Sequence, residues 1–275
     1  MKILFGIVSK SEAIGATFNF NFTSYSKRFN QYVCRPGDTA PIMCSLQNRE
    51  LFKAVFGITY WGNKKKMLVH TAPQQHLILD ARFKFAIRKN RCLVPATHIL
   101  FLLDKTAYCC YLKNERPFYL AGLYEKLQHE NGETFYSFAL VTTYTNKILS
   151  AHDINEMPLI LNTGAAMKWL RADTELRKIT AMNKAPTNEL IDFYPLNYEP
   201  LANTQLNEKS LLSPLGPSYW KEYDIYVQEE LARKRAEEFR QKEAKAEYDA
   251  VLGLKKTLQT HCQGVPNDEL WKVCR

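Results

Sequence analysis

The pattern of hydrophobic and polar residues divides the chain into two parts. From residue 3 to about residue 215, short apolar runs rich in β-branched and aromatic side chains alternate with turn residues. These runs predict strands: ILFGIVS, KNRCLVPA, HILFLL, YCCYLK, PFYLAGLY, TFYSFALVTT and MPLILN. Turn residues at 114–117 and at Asn131-Gly132 separate successive strands. The first part is therefore expected to form a β-rich core.

Helical patterns are few in this part and dominate the second. Short helices are predicted from Ser9 to about Thr17, over Arg82–Ile87 and over Ala165–Leu170. Residues 219–260 hold dense Glu, Lys, Arg and Ala without proline, which predicts a long solvated helix. Its irregular apolar stripe favours packing on the body of the protein or on a partner over a coiled coil. We expect an α+β protein with a β-rich domain at 1–215 and a charged helical extension at 216–275.

The charge of the chain points to an acidic partner. The 275 residues carry a formal net charge of +9. Residues 221–249 contain seven basic and nine acidic side chains, so the positive excess belongs to the β-rich part. Nucleic acid is the most common acidic partner of such a domain, because each neutralised phosphate releases counterions.

Cysteine usage and the N-terminus restrict the class of protein. The seven cysteines include no C-x-x-C pair, so neither a zinc ribbon nor a disulfide framework is indicated. The apolar start MKILFGIV lacks a small-residue cleavage site, and Lys10, Glu12 and Asn19 interrupt any membrane span. We expect a reduced cytoplasmic protein without a metal ion, a cofactor or a membrane partner.

Several stretches, in order along residues 1–215, resemble motifs of the SOS response-associated peptidase (SRAP) family. The stretches YVCRPGDTAPI, FGITYW and RCLVPATHILFLL are similar to YN-x-x-PG-x-x-x-PV, WGL-x-P-x-W and RCL-x-PA-x-GFYEW. Further on, AGLYE, FALVTTYTN and AHDINEMPLIL resemble AG-(L/I)-(W/Y)-E, F-x-(I/L)-(I/L)-T-T-x-A-N and IH-x-RMP-x-(I/L)-L, and YPLN resembles the closing strand. Each match is weak alone, but their joint order is specific. The resemblance implies a barrel-like fold that processes abasic sites in single-stranded DNA.

The chemistry implied by the resemblance uses a cysteine at residue 2. Its amine attacks the aldehyde of the abasic sugar, and its thiolate closes a thiazolidine ring that links protein to DNA. An asparagine positions the sugar, while a glutamate and a histidine move protons. Here residue 2 is Lys2, which offers no thiol beside the terminal amine. Thiazolidine formation is therefore not expected.

Most of the other reacting positions of the family are also changed in this sequence. The family's asparagine falls on His70, its phosphate-binding arginine on Ala72 and a nearby acid on Gln74. The acid of the FYEW motif falls on Phe101, whose ring can neither donate nor accept a proton. Only His152 is retained as a candidate acid or base near neutral pH. The catalytic candidates are thus His152 and Lys2.

A DNA-binding cleft can persist without the chemistry, because phosphate contacts come from scattered basic residues. Basic side chains interleaved with aromatic rings are typical of a single-strand groove. The DNA-binding candidates are Arg35, Trp61, Lys64, Lys65, His70, Arg82, Lys84 and Arg88.

Three functional hypotheses remain open at this point. The chain binds single-stranded or abasic DNA without crosslinking to it. Alternatively, it is an abasic-site lyase that forms a transient imine through the Met1 amine or Lys2, helped by His152. In the third hypothesis it is a degenerate scaffold that binds a protein partner through residues 219–260.

Overall fold

The computed structural model divides the chain into two units, Met1–Leu215 and Gly216–Arg275. The structure describes residues 1–15, 28–44, 51–62, 65–113, 117–128, 131–182, 190–202, 206–215, 239–246 and 248–249. Residues 239–246 and 248–249 are helical, and the rest of the helix predicted over 219–260 lies outside the described residues. Within the described ranges, no helix is long and apolar enough to cross a membrane.

The first unit is rich in strands, as the alternation of apolar and turn residues predicts. Its strands are β1 (Lys2–Lys10), β2 (Arg28–Cys34), β3 (Thr39–Met43), β4 (Leu51–Phe56), β5 (Ile58–Gly62), β6 (Lys65–Val69), β7 (Thr71–Pro73), β8 (Arg91–Ala96), β9 (His98–Leu102), β10 (Ala107–Leu112), β11 (Phe118–Gln128), β12 (Thr134–Tyr144), β13 (Glu156–Pro158), β14 (Ile160–Leu161) and β15 (Ile191–Leu196). Its α-helices are α1 (Ser11–Gly15), α2 (Ala86–Lys89), α3 (Lys147–Ser150), α4 (Thr163–Leu170), α5 (Leu176–Thr180) and α6 (Tyr198–Ala202). Short 3₁₀ turns are formed by Gln74–His76 and Lys209–Leu212.

Five strands close into a small barrel. They follow the order β12-β4-β3-β8-β11, and the ring is completed because β11 also pairs with β12. The β4–β12 pairing is parallel and the other four are antiparallel. Strands β7 and β13 extend this sheet beside β12, and β14 extends it beside β11. The predicted β-rich, barrel-like α+β fold is confirmed.

A second sheet carries the N-terminus of the chain. Its order is β15-β10-β9-β1-β2, with antiparallel pairing throughout. The stretch RCLVPATHILFLL joins the two sheets, because β8 belongs to the barrel and β9 to the second sheet. Between them, the backbone N–H of Thr97 donates to the carbonyl of Gly6 at 2.9 Å.

An apolar cluster and a group of aromatic rings hold these layers together. Helices α2 and α4 cover one face of the barrel, where Ile87 and Trp169 belong to the same buried cluster as Leu93. On the barrel side of the second sheet, the ring of Phe5 packs edge-on against Phe56, with 5.3 Å between ring centroids. Burying a large apolar side chain is worth about 1.5–3 kcal/mol, so these contacts fix β1 against the barrel.

The predicted helices form with shifted bounds. The helix expected over Arg82–Ile87 forms as α2, Ala86–Lys89, after a turn in which Phe83 N–H donates to Asp80 O at 3.0 Å. The helix expected over Ala165–Leu170 begins earlier, because Asn162 caps it by accepting a hydrogen bond from the Ala165 N–H at 2.9 Å.

Candidate functional site

Strand β1 brings the start of the chain beside β9. Lys2 lies opposite Leu102, and Ile3 lies opposite Phe101. Lys2 is exposed, whereas Phe101 is fully buried. The position aligned with the family's acid therefore holds a core ring that takes no part in proton transfer.

His152 lies just after α3. Asn146 caps that helix by accepting a hydrogen bond from the Leu149 N–H at 3.0 Å, and the His152 N–H donates to Leu149 O at 3.0 Å. The imidazole meets two rings edge-on, Tyr108 at 5.4 Å and Phe193 at 5.0 Å between centroids. Burial lowers the pKa of His152, and the nearby Asp153 carboxylate opposes that shift. The ring is therefore mainly neutral at neutral pH.

The two catalytic candidates lie at different strands of the second sheet, since Lys2 is on β1 and the ring of His152 packs against β10 and β15. Phe101 pairs with Ile3 on one side and with Tyr108 on the other. Two strand spacings thus separate β1 from β10, which is roughly 10 Å. His152 lies against β10 and β15, so the structure does not place its imidazole beside the start of β1.

His70 is a predicted site residue whose imidazole is influenced by the charge of Lys2. It follows β6, and its ring meets the edge of Phe56 at 5.9 Å between centroids. The pKa of the half-buried imidazole is lowered by burial and by the positive charge of Lys2. His70 is therefore neutral near pH 7 and able to accept a proton.

The other two changed positions offer no chemistry. Ala72 is fully buried in β7, opposite Val141 of β12. The Gln74 amide N–H donates to the carbonyl of Thr180 at 2.9 Å. Ala72 packs in the core and Gln74 bonds to the end of α5, so neither residue provides a cation for phosphate or an acid.

A carboxylate that was not predicted from the sequence lies in β13. Glu156 is half-buried opposite Tyr144, and it accepts a short hydrogen bond from the hydroxyl of the buried Thr142. The sequence motif gave no signal for this acid, because the family pattern has an arginine before the Met-Pro pair. No group of three or more His, Cys, Asp or Glu side chains in the described part of the chain is arranged to hold a metal ion.

Arg35 must be removed from the DNA-binding candidates. Only 8% of its surface is exposed. Its guanidinium donates to the carbonyl of Leu206 at 2.7 Å and to that of Leu201 at 3.4 Å. A basic residue that satisfies backbone carbonyls inside the protein cannot also contact phosphates, so Arg35 is a structural residue.

The candidates on the β5–β6 hairpin can be placed only in part. Trp61 pairs with Lys66, and Gly62 pairs with Lys65, in antiparallel register. The side chains of Trp61 and Lys65, and the whole of Lys64, lie outside the described residues. Tyr60 on the same hairpin is exposed.

Arg82 is already paired with an acid. Its guanidinium forms a two-pronged hydrogen bond with Asp80, including Nε to Oδ1 at 2.9 Å. That bond lowers the pKa of Asp80 and raises the pKa of Arg82. The charge of Arg82 is therefore largely balanced, which weakens it as a phosphate contact.

Lys84 and Arg88 belong to an uncompensated basic surface. Helical hydrogen bonds run from Ile87 N–H to Phe83 O at 2.9 Å and from Lys89 N–H to Phe85 O at 3.2 Å. This geometry buries Phe83, Ala86 and Ile87 and turns the intervening residues to solvent. We call the exposed set the basic ridge: Lys84, Phe85, Arg88 and Lys89. In the described part of the chain, none of its three cations forms an ion pair.

The model of the SOS response associated peptidase (SRAP) family matches residues 5–199. The chain belongs to the SRAP family. This SRAP match runs from Phe5, within β1, through β15 to the start of α6.

Solved structures share the SRAP fold of this chain at low sequence identity. A protein from Bacteroides thetaiotaomicron has a TM-score of 0.65 at 21% identity, covering 78% of this chain and 99% of its own. A protein from Bordetella bronchiseptica has a TM-score of 0.58 at 14% identity, covering 71% and 99%. A phage-related protein from the same organism has a TM-score of 0.51 at 18% identity, covering 70% and 93%. No curated protein matches the chain.

The spacing between His152 and the Met-Pro pair differs from that of the SRAP family motif. The motif IH-x-RMP places histidine three residues before methionine, but His152 precedes Met157 by five. The position three residues before Met157 holds Ile154, which is fully buried. The predicted role of His152 therefore depends on its ring contacts and not on its place in the motif.

Proposed function

We propose that this SRAP-family protein binds single-stranded DNA, including strands with abasic sites, without forming a thiazolidine crosslink. The observation that carries the proposal is the basic ridge, in which three exposed cations share a short segment with the ring of Phe85, which is 66% exposed. A base stacked on an exposed ring contributes about 1–3 kcal/mol, while neighbouring Lys and Arg follow the phosphates. Phe83 and Ile87 of the same segment are buried in the core cluster, so packing holds the basic ridge in place.

The second half of the proposal concerns the missing crosslink. A thiazolidine needs a thiol on the residue whose amine forms the imine, and residue 2 is Lys2. The buried ring of Phe101 supplies no proton at the position of the family's acid. Binding without ring closure is the function that these residues support.

The test is fluorescence anisotropy with a labelled single strand of about 20 nucleotides and a duplex of the same length. We expect preference for the single strand and a steep loss of affinity between about 50 and 200 mM salt. Phe85→Ala is expected to weaken binding roughly 5- to 150-fold with little change in salt dependence. Lys84→Gln and Arg88→Gln are each expected to reduce the slope of log affinity against log salt by about 0.7.

The matched control is Lys209→Gln, which removes an exposed lysine from the Lys209–Leu212 turn, outside the basic ridge. It is expected to leave binding unchanged. Equal effects of Lys209→Gln and Lys84→Gln, or equal affinity for single strand and duplex, would contradict the proposal.

A second function, abasic-site lyase activity, is favoured by one observation. Lys2 is exposed, and its charge acts on the imidazole of His70, a base near neutral pH. An amine and the sugar aldehyde would form an imine with loss of water, and borohydride would reduce that imine to a stable amine. An adduct lost in Lys2→Arg assigns Lys2, and one retained assigns the Met1 amine. Absence of any trapped adduct excludes imine chemistry.

A further inference from the structure

Two cysteines lie next to the residue pair that joins β3 to β8. Met43, the last residue of β3, pairs with Leu93 of β8 in antiparallel register. Cys44 follows Met43 and Cys92 precedes Leu93, so the antiparallel register places these two cysteines at the next opposed position. Electrostatic coupling between the two thiols supports their proximity, because Cys44 contributes to the raised pKa of Cys92.

Both thiols face the interior of the barrel. Side chains alternate along strands, and Met43 and Leu93 belong to the cluster under α2 and α4. Cys44 and Cys92 therefore point to the other face. A Cβ added at Gly122 would lie 2.8 Å from the Sγ of Cys92, which fixes the direction of that thiol.

Tyr124 provides an independent sign that the two sulfur atoms share one location. Burial raises the pKa of the Tyr124 phenol to about 12, and both Cys44 and Cys92 add to that shift. Tyr124 and Gly122 are two residues apart on β11 and therefore lie on the same face of the strand. Gly122 pairs with Cys92. The three groups therefore cluster at one end of the barrel.

The strand geometry permits a bond between these cysteines. Directly opposed residues in antiparallel strands have Cα atoms about 4.5 or 5.5 Å apart, within the range of about 4.4–6.8 Å that disulfides occupy. Opposed Cβ atoms lie about 4.5–5.5 Å apart, so a disulfide requires an approach of roughly 1 Å. Cys44 is partly exposed and Cys92 is fully buried, so an oxidant meets Cys44 first.

We propose that Cys44 and Cys92 form a reversible cross-strand disulfide that locks β3 to β8 when the protein meets hydrogen peroxide. The Cys44 thiolate attacks one peroxide oxygen and displaces hydroxide, giving a sulfenic acid. The Cys92 sulfur then attacks the Cys44 sulfur, and the sulfenic oxygen leaves as water. Overall, two thiols and one peroxide give one disulfide and two waters. This inference is independent of DNA binding.

Burial sets the rate of this reaction. The pKa values of both thiols are raised, chiefly because burial disfavours the thiolate. Only the thiolate attacks peroxide, so oxidation is slow at neutral pH. As long as the pH is below the raised pKa, the rate of oxidation increases about tenfold for each unit by which the pH rises. The device responds to sustained oxidation and not to brief exposure.

The experiment treats the folded full-length chain with hydrogen peroxide, alkylates free thiols, and maps disulfides by mass spectrometry of unreduced peptides. We expect a Cys44–Cys92 linked peptide, a loss of two hydrogen atoms in intact mass, and reversal by dithiothreitol. The linkage is expected to raise the unfolding midpoint by roughly 5–15 °C, because it closes a long loop of the unfolded chain.

Cys44→Ser is the variant of choice, because Cys44 lies outside the fully buried core. It is expected to abolish both the linked peptide and the rise in midpoint. Cys109→Ser is the control and is expected to leave both unchanged. The proposal is overturned if peroxide yields only sulfinic acid at Cys44, links other cysteines, or leaves both thiols free to alkylation after the protein's exposed methionines are oxidised.

Discussion

Gly6 and His98 show how two neighbouring side chains determine each other. They lie opposite each other in the β1–β9 pair, and the Nε2–H of His98 donates to the carbonyl of Tyr32 at 2.7 Å. A Cβ at position 6 would lie 2.2 Å from that nitrogen and 2.5 Å from the Tyr32 oxygen. His98 falls on the glycine of the GFYEW motif, so a large residue on β9 is accommodated by a glycine on β1.

Three imidazoles make the stability of the protein depend on pH. Burial lowers the pKa of His70, His98 and His152. The unfolded chain therefore binds more protons than the folded chain below the ordinary value of about 6.5, and stability falls as the pH decreases through that region. Each histidine contributes a slope of at most about 1.4 kcal/mol per pH unit.

The measurement is urea unfolding between about pH 5 and pH 8. The unfolding free energy is expected to rise with pH, and His98→Gln is expected to reduce the slope because it removes the most buried of the three imidazoles. Glu125 acts with opposite sign above about pH 4.5, since burial raises its pKa. Stability that increases as the pH falls from 7 to 6 would contradict the attribution of the pH dependence to buried histidines with lowered pKa values.

Site residues could be predicted from the sequence only where identity alone decides their role. The residue types at Lys2 and Phe101 show directly that these positions lack a thiol and an acid. The burial of Arg35 could not, because a cation satisfied by carbonyls and one facing solvent have the same local pattern. Lys84 and Arg88 could be proposed from the sequence because they are basic residues interleaved with aromatic ones, whereas their exposure is seen only in the structure.

At the scale of elements, Arg91 connects two helices to the barrel. Its guanidinium donates to Ile87 O at 2.7 Å and Arg88 O at 3.1 Å near the end of α2. It also donates to Trp169 O and Arg171 O, each at 2.6 Å, at the end of α4. The carbonyls of the last helical turn have no partner within their own helix, and this one side chain satisfies them at two helix ends.

Arg91→Lys is expected to destabilise the protein by about 2–4 kcal/mol. A lysine keeps the charge but has no planar fork, so it leaves buried carbonyls without donors. Arg88→Lys is the control, because Arg88 is exposed and only its carbonyl contacts Arg91. Urea unfolding of both variants measures the difference, and equal stability would show that water replaces the lost donors.

Strand positions were predictable where apolar runs are bounded by turn residues. Gly132 adopts a positive φ of 86° between β11 and β12, at the predicted Asn131-Gly132 turn. The closure of the barrel was predicted from the family resemblance and not from the local pattern, because the parallel pairing of Ala54 with Tyr136 joins segments far apart in the sequence. Long-range pairing depends on the packing of whole layers, which local patterns do not record.

At the scale of the molecule, the segment after the family match completes the second sheet. The match ends at residue 199, yet Asn207 Oδ1 accepts the N–H groups of Tyr32 and Val33 at 2.8 and 3.0 Å. The Tyr194 hydroxyl donates to Leu212 O at 2.9 Å, and Leu215 N–H donates to Pro195 O at 3.0 Å. Residues 206–215 therefore belong physically to the first unit.

Two truncations test where the folded domain ends. A chain ending at Leu215 keeps these bonds and is expected to retain the unfolding midpoint and the single-strand affinity of the full protein. A chain ending at Ala202 exposes the buried Arg35 guanidinium and the β2 amides, and it is expected to lose several kcal/mol or fail to fold, since each unsatisfied buried polar group costs about 1–3 kcal/mol. Circular dichroism melts and anisotropy measure both. If the chain ending at Leu215 loses DNA affinity while its melt is unchanged, residues 216–275 take part in binding. If both truncated chains melt alike, the segment 206–215 is dispensable, and the second sheet is held by its strands alone.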